Sequence, residues 1–224
     1  MVSLFRASFL DFLRYGWLIN YQSDILASSS FRHHPSAVKN SEYLSTYIAK
    51  ELSHQSALGP FRCNPFNTDG VISALLCVLK RDSVELRVVH DHSFPEGSSV
   101  NDGISSDQFL EQFFKLRLPG IDCLVEFVNT KGRGCHVFTK DPRCAYREIP
   151  IDPQDYTLLG LSIDGSLLFH TALPFGLRSA TKIFQRTTKS VAYILNSEGI
   201  SVDVYIDDFY GAEFSVHLNS PFSG

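Results

Sequence analysis

Two adjacent carboxylates, Asp207 and Asp208, interrupt the run Val202-Asp203-Val204-Tyr205-Ile206-Asp207-Asp208-Phe209-Tyr210-Gly211. The apolar and β-branched residues before them predict a strand over 202–206, with the acids at its end and a tight hairpin carrying the pair at its tip. Neighbouring carboxylates repel, so a fold that holds them together calls for a cation or a proton to neutralise them. A divalent-metal site for phosphoryl transfer is the chemistry open to such a pair; a solvated Asp-Asp turn is the plain alternative. A third carboxylate, Asp141, follows the alternating stretch Cys135 to Lys140 and precedes Pro142. Asp before Pro makes a good N-cap followed by a good first helical residue, which places Asp141 at a strand–helix junction. A cap alone would account for it, at about 1 kcal/mol.

The elements that must position these acids are legible in outline. Residues 1–20 place Phe5, Phe9, Phe12 and Leu13 at helical spacing, an amphipathic helix interrupted by Arg6, Asp11 and Arg14 rather than a signal peptide. A loop or linker occupies 21–40. A second helix starts near Asn40-Ser41 with Tyr43, Leu44, Tyr47, Ile48 and Leu52 on one face, and Leu58-Gly59-Pro60 ends it. Val71 to Leu79 and Val84 to His90 form a hairpin around Lys80-Arg81-Asp82-Ser83. Phe94 to Ser99 is a loop. Ser105-x-x-Gln108 resembles a capping box and predicts a helix with Phe109, Leu110, Phe113 and Phe114 inward, ended by Pro119-Gly120. Residues 156–163 and 166–170 are strands around Asp164-Gly165, and Leu173 to Leu177 is a turn with backbone freedom at Gly176. A long helix runs from about Ser179 to Glu198, stopped by Gly199.

Composition bounds the class. The chain has 224 residues, 44% hydrophobic and 20% charged, which excludes a disordered protein. No apolar run is long enough for a bilayer. Five scattered cysteines without a C-x-x-C pair exclude a zinc or disulfide framework and read as reduced thiols of an intracellular protein, cytoplasmic or nuclear. Eight dispersed histidines, His33-His34 and His90-x-His92 among them, fit ordinary surface or core roles. With a net charge of −4, any basic groove for nucleic acid has to be local.

Lys140-Asp141-x-x-x-Ala145-Tyr146-Arg147-x-Ile149-Pro150, Leu173-Pro174-Phe175-Gly176-Leu177-Arg178-Ser179-Ala180 and Tyr205-Ile206-Asp207-Asp208 follow one another in the order of reverse transcriptase motifs. Lys80-Arg81-Asp82 with Arg87 to Asp91 resembles the fingers hairpin of those enzymes. Ser93-Phe94-Pro95-Glu96-Gly97-Ser98-Ser99-Val100-Asn101-Asp102 is similar to a signature of retrotransposon polymerases of the tyrosine-recombinase (DIRS-like) group. The resemblance spans roughly residues 40–214.

It implies an α+β right-hand polymerase, with an antiparallel palm sheet packed on helices. Residues 1–40 would be an N-terminal helix and linker, 41–135 mainly fingers, and 136–224 mainly palm. The implied activity is RNA-directed DNA synthesis with two Mg²⁺ ions, or Mn²⁺ in their place, on an RNA or DNA template with primer and dNTPs, away from any membrane. By motif position Asp141 and Asp207 are the shared metal ligands and Asp208 the more peripheral acid. Lys80, Arg81 and Arg87 match triphosphate-binding positions, with the choice between Lys80 and Arg81 open. Tyr146 matches the gate that excludes a ribose 2′-hydroxyl, and a core tyrosine is its ordinary alternative. Phe175 and Gly176 match the turn lining the nucleotide pocket. Arg178 and Tyr205 match template and primer positions, Arg178 being equally suited to capping a helix. Pro142 departs from the family, which usually carries a small or branched apolar residue there. Because the chain reaches only Gly224 after Asp208, the resemblance also implies that the thumb, RNase H and recombinase regions are missing. A catalytically dead or co-opted fragment that at most binds nucleic acid is therefore the alternative.

Overall fold

The computed structural model describes residues 9–23, 32–81, 83–110, 112–116, 118–142 and 145–214. In chain order the elements are α1 (Phe9–Tyr15), α2 (Pro35–Lys39), α3 (Ser41–Ser53), β1 (Ala57–Phe61), β2 (Ala74–Leu79), β3 (Leu86–Asp91), β4 (Gln108–Phe109) and β5 (Gln112–Phe113). There follow α4 (Ile121–Lys131), β6 (His136–Lys140), β7 (Gly160–Ile163), β8 (Ser166–His170), α5 (Ala180–Ser197), β9 (Val202–Tyr205) and β10 (Asp208–Glu213). Every pairing between these strands is antiparallel, so the fold is α+β as expected. Two compact units divide the chain, Met1–Phe113 with Tyr146–Ala180, and Phe114–Ala145 with Thr181–Gly224.

In the first unit a three-stranded sheet runs β1-β8-β7, and β2 pairs with β3 separately. Leu44 and Ile48, one helical turn apart on α3, bury against Leu75, Cys77 and Val88 of the β2–β3 hairpin and Leu161 and Leu168 of β7 and β8. The β7–β8 connection has φ of 50° at Asp164 and 73° at Gly165. Two left-handed residues make the tight turn that matches strand twist, as the Asp-Gly pair suggests.

Several expectations are corrected here. The N-terminal helix stops at Tyr15, because Gly16 at φ 97° packs so closely on Ile151 that a Cβ would lie 2.4 Å from its carbonyl carbon. Trp17 then runs extended, donating its amide to Pro150 O and stacking on Phe12 at 4.2 Å; residues 1–8 lie outside the described ones. α3 ends at Ser53, before Leu58-Gly59-Pro60, which belongs to β1. The helix expected after Ser105 does not form. Ser105 Oγ does accept the Gln108 amide, but as an isolated turn, and Asn20 Oδ1 captures the Leu110 amide. β4 and β5 replace the helix, leaving Phe109 buried and Phe113 exposed. Pro119-Gly120 opens α4 instead of closing a helix, and the strand expected from 156 begins at Gly160, after a 3₁₀ turn over Pro153–Leu158 capped by Asp152. α2, inside the expected linker, is new.

The second unit is built on the sheet β6-β10-β9. Ala192 and Leu195 of α5 pack on Phe138, Val202, Val204 and Phe209. α4 lies against β10, where Lys131 Nζ meets Glu213 Oε2 at 2.7 Å and Phe127 faces Tyr210. Burial pushes the Glu213 carboxyl up, but its bonds from Lys131 and the Phe214 and Ser201 amides outweigh that and hold it below the ordinary value. Gly211 permits the closest approach in this sheet: a Cβ there would lie 2.0 Å from Ser201 O and 2.8 Å from the Phe138 ring. Gly211→Ala is expected to lower unfolding free energy by about 2–3 kcal/mol, read from urea denaturation; an unchanged midpoint would show that the sheet absorbs the methyl.

Candidate active site

Strand register brings the acids together. Asp208 pairs with Tyr205 across the β9–β10 hairpin, so the two central turn residues are Ile206 and Asp207. The acidic pair therefore straddles the turn and the start of β10, one residue out of step with a tip formed by both acids. On the other side of β10, Phe209 pairs with Lys140. The next position outward places Asp141, immediately past β6, beside Asp208. The helix start expected at Asp141-Pro142 runs into Arg143 and Cys144, outside the described residues, and the chain continues in a short 3₁₀ turn over Ala145–Glu148.

Ile206 carries the local strain. Its φ of 57° is left-handed, a conformation that costs an L-residue about 1–2 kcal/mol and suits β-branched side chains least. Thr188 on α5 donates its hydroxyl to Ile206 O at 3.0 Å, tying the turn to the helix that supports the sheet. Sequence reading missed Thr188, and nothing in its local pattern marks it.

Partial burial, then the charges of Asp207 and Asp141, raise the Asp208 carboxyl above its ordinary value. Asp141 and Asp208 are exposed and Asp207 half-buried, so the group is open to solvent. Among the described residues no three His, Cys, Asp or Glu side chains form a ready-made cage for a metal ion. The arrangement is one of hard oxygen donors with unrelieved repulsion, of the kind that suits a cation whose shell is completed by water or phosphate. Raised in the folded state, Asp208 contributes stability while it is neutral and loses it as pH climbs past 3.8 through the folded value. Asp208→Asn is thus expected to stabilise the protein at neutral pH and to give no gain below that window. In an NMR titration, Asp207→Asn should bring the Asp208 value down further than Asp141→Asn; equal, zero effects would refute the coupling.

A second group gathers in the first unit. The Phe175 ring centre lies 5.0 Å from that of Tyr146, and the Arg87 guanidinium sits 5.4 Å from the Phe175 centroid. Gly176, at φ 96°, passes so close to β3 that a Cβ would stand 2.3 Å from His90 O. Four of the six expected nucleotide-site residues are therefore neighbours. Lys80 and Arg81 are at the far end of the β2–β3 hairpin, where Lys80 pairs with Glu85 at 2.5 Å and holds that carboxyl below its ordinary value. Arg178 spends its Nη1 on Ile104 O at 3.0 Å, which is neither a helix cap nor a free cation. Tyr205 is exposed on β9.

Next to Tyr146 in the chain begins a buried polar network that sequence reading missed. Arg147 pairs with Glu51 at 3.2 Å, donates to Tyr47, and reaches His170 Nδ1 at 3.2 Å. His170 Nε2 meets His90 Nε2 at 2.9 Å. His170 Nδ1 thus stands between a donor, Arg147, and an acceptor, the Ser56 carbonyl at 3.3 Å. Burial, followed by neighbouring positive groups, keeps both histidines neutral.

No family model matches the sequence, and no curated protein matches it. Solved structures do. The foamy viral protease-reverse transcriptase in complex with dsDNA superposes with a TM-score of 0.64 at 16% identity, over 90% of this chain and 37% of that one. Its complex with an RNA/DNA hybrid gives 0.63 at 17%, over 90% and 24%. Prototype foamy virus protease-reverse transcriptase gives 0.59 at 21%, over 90% and 23%. The fold is thus reverse-transcriptase-like, and the chain spans about a quarter to a third of those proteins' length. No described helix is long and apolar enough to cross a membrane.

Proposed function

We propose that this chain is the fingers–palm part of an RNA-directed DNA polymerase from a retroelement of the DIRS-like group. The observation that carries the reading is the register placing Asp141 beside Asp208, one residue from Asp207, in a fold similar to viral reverse transcriptases. The foamy viral relatives were solved on dsDNA and on an RNA/DNA hybrid, and the partner proposed here is a primed RNA or DNA template.

Asp141, Asp207 and Asp208 fit Mg²⁺ as donors: oxygen-only, partly exposed, and in need of positive charge. Two such ions, when bound, would activate the primer 3′-hydroxyl and neutralise charge on the triphosphate. Asp141 and Asp207 would be the shared ligands. Arg87 would grip triphosphate oxygens, joined by Lys80 or Arg81, Lys80 exchanging its Glu85 partner for phosphate. Tyr146, next in the chain to Arg147, would block a ribose 2′-hydroxyl, and Phe175 with Gly176 would line the base and sugar. Tyr205 and Arg178 are assigned to primer and template.

Primer extension on an RNA template with dNTPs and Mg²⁺ tests this. Asp207→Asn and Asp141→Asn are each expected to lower the rate by at least 10²-fold, about 3 kcal/mol of barrier; full activity in either would remove that residue from the site. Tyr146→Ala is expected to admit ribonucleotides, and unchanged sugar selectivity would refute the gate. The second reading, a co-opted binding fragment, draws on the lack of a ready-made cage among the described residues. Salt-sensitive binding to primer–template without extension would favour it.

A further inference from the structure

The segment Ser93 to Asp102 has no obvious ligand chemistry of its own, yet it is tightly organised. Asn101 closes it by donating its amide to His92 O at 2.9 Å. Asp102 braces it from within, accepting from Gly97 N at 2.8 Å, Ser99 N at 3.0 Å and Ser99 Oγ at 2.6 Å. Those bonds, Ser99's first, hold the Asp102 carboxyl below its ordinary value. Asn101 is only 4% exposed, and its side chain bonds to other partners. Its Nδ2 donates to Gly176 O at 2.8 Å and to Ser93 Oγ at 2.9 Å, while its Oδ1 accepts the Arg178 amide at 2.7 Å. The pattern settles the orientation of the carboxamide, since a carbonyl needs a donor and an amide an acceptor.

We propose that Asn101 is a positioning residue for nucleotide selection: its carboxamide fixes the turn at residues 175–178 and thereby the place of the Phe175 ring against Arg87 and Tyr146. The turn has no slack, because Gly176 is pressed on its other side against His90 O. One peptide separates the Gly176 carbonyl from Phe175, whose ring is 5.0 Å from Tyr146 and 5.4 Å from the Arg87 guanidinium. A shift of the turn moves the ring relative to both. Buried as it is, Asn101 touches no ligand; it acts through the turn, and this explains why a loop without reactive groups is so fully hydrogen-bonded. The functional half of the inference rests on the polymerase reading, the positional half does not.

The experiment compares the unaltered chain with Asn101→Ala and the isosteric Asn101→Asp, which keeps an acceptor for the Arg178 amide but offers Gly176 O no proton. Two NMR readouts report position: hydrogen exchange at the Arg178 amide and ring-to-ring NOEs between Phe175 and Tyr146. Exchange should accelerate about tenfold or more in Asn101→Ala, and the NOEs should weaken in both variants. In primer extension the dNTP KM should rise about tenfold with a smaller change in kcat, together with a shift in deoxy- against ribonucleotide preference. A purely structural residue would lower activity without that split. Unchanged exchange and NOEs overturn the proposal outright. A displaced ring with unchanged KM and sugar preference overturns its functional half. No extension by the unaltered chain removes the polymerase reading and that half with it, while the NMR arm still decides whether Asn101 holds the turn. Should Asn101→Ala fail to fold, Asn101→Asp decides.

Discussion

Mutual repulsion among Asp141, Asp207 and Asp208 has to be offset by whatever holds β6, β9 and β10 in register. β10 is hydrogen-bonded on both sides, and Gly211 lets neighbouring backbone and the Phe138 ring come within distances that a methyl would forbid. Beneath the sheet, α5 supplies apolar contact through Ala192 and Leu195. It also supplies a polar hold on the strained turn, from Thr188 to Ile206. The Lys131–Glu213 pair fastens α4 to the end of β10 away from the acids. In the proposed function a divalent cation would relieve the remaining repulsion, so that three groups which are a cost to the bare fold would become ligands.

The first unit solves a different problem. Arg147, Glu51, Tyr47, His170 and His90 form a buried network joined by a chain of bonds, at whose end His90 Nδ1 is buried without a hydrogen-bond partner among the described residues. Buried ionic groups of this kind add little net stability over apolar packing, but removing one partner strands the other at several kcal/mol. Their contribution is placement. Arg147 adjoins Tyr146, His90 supplies the carbonyl against which Gly176 packs, and Asn101 holds that turn from the opposite side. Rigid support from separate elements converges on one exposed aromatic cluster.

Much of this is legible in the sequence. α5, the β2–β3 hairpin, the β7–β8 turn and β6 were visible because each carries its signal within a few residues: a 3.6-residue apolar repeat, strict alternation, or a glycine where φ turns positive. The region 105–118 shows how such signals fail. Ser105 makes the bond a capping box requires, but Asn20, far away in sequence, competes successfully for the Leu110 amide. The helix appears only after Pro119-Gly120, which punctuates its start and not an end.

By itself the sequence determined which residues could do chemistry, namely the acids at strand ends and the aromatic–glycine turn, since side-chain type and local period suffice for that. Tertiary structure alone decided which of them meet. Asp141 reaches Asp208 through a ladder between strands more than sixty residues apart, Lys80 is taken by Glu85, and Asn101 grips a turn 77 residues away. Such bonds depend on register and on competition among distant donors and acceptors, and neither leaves a trace in local spacing.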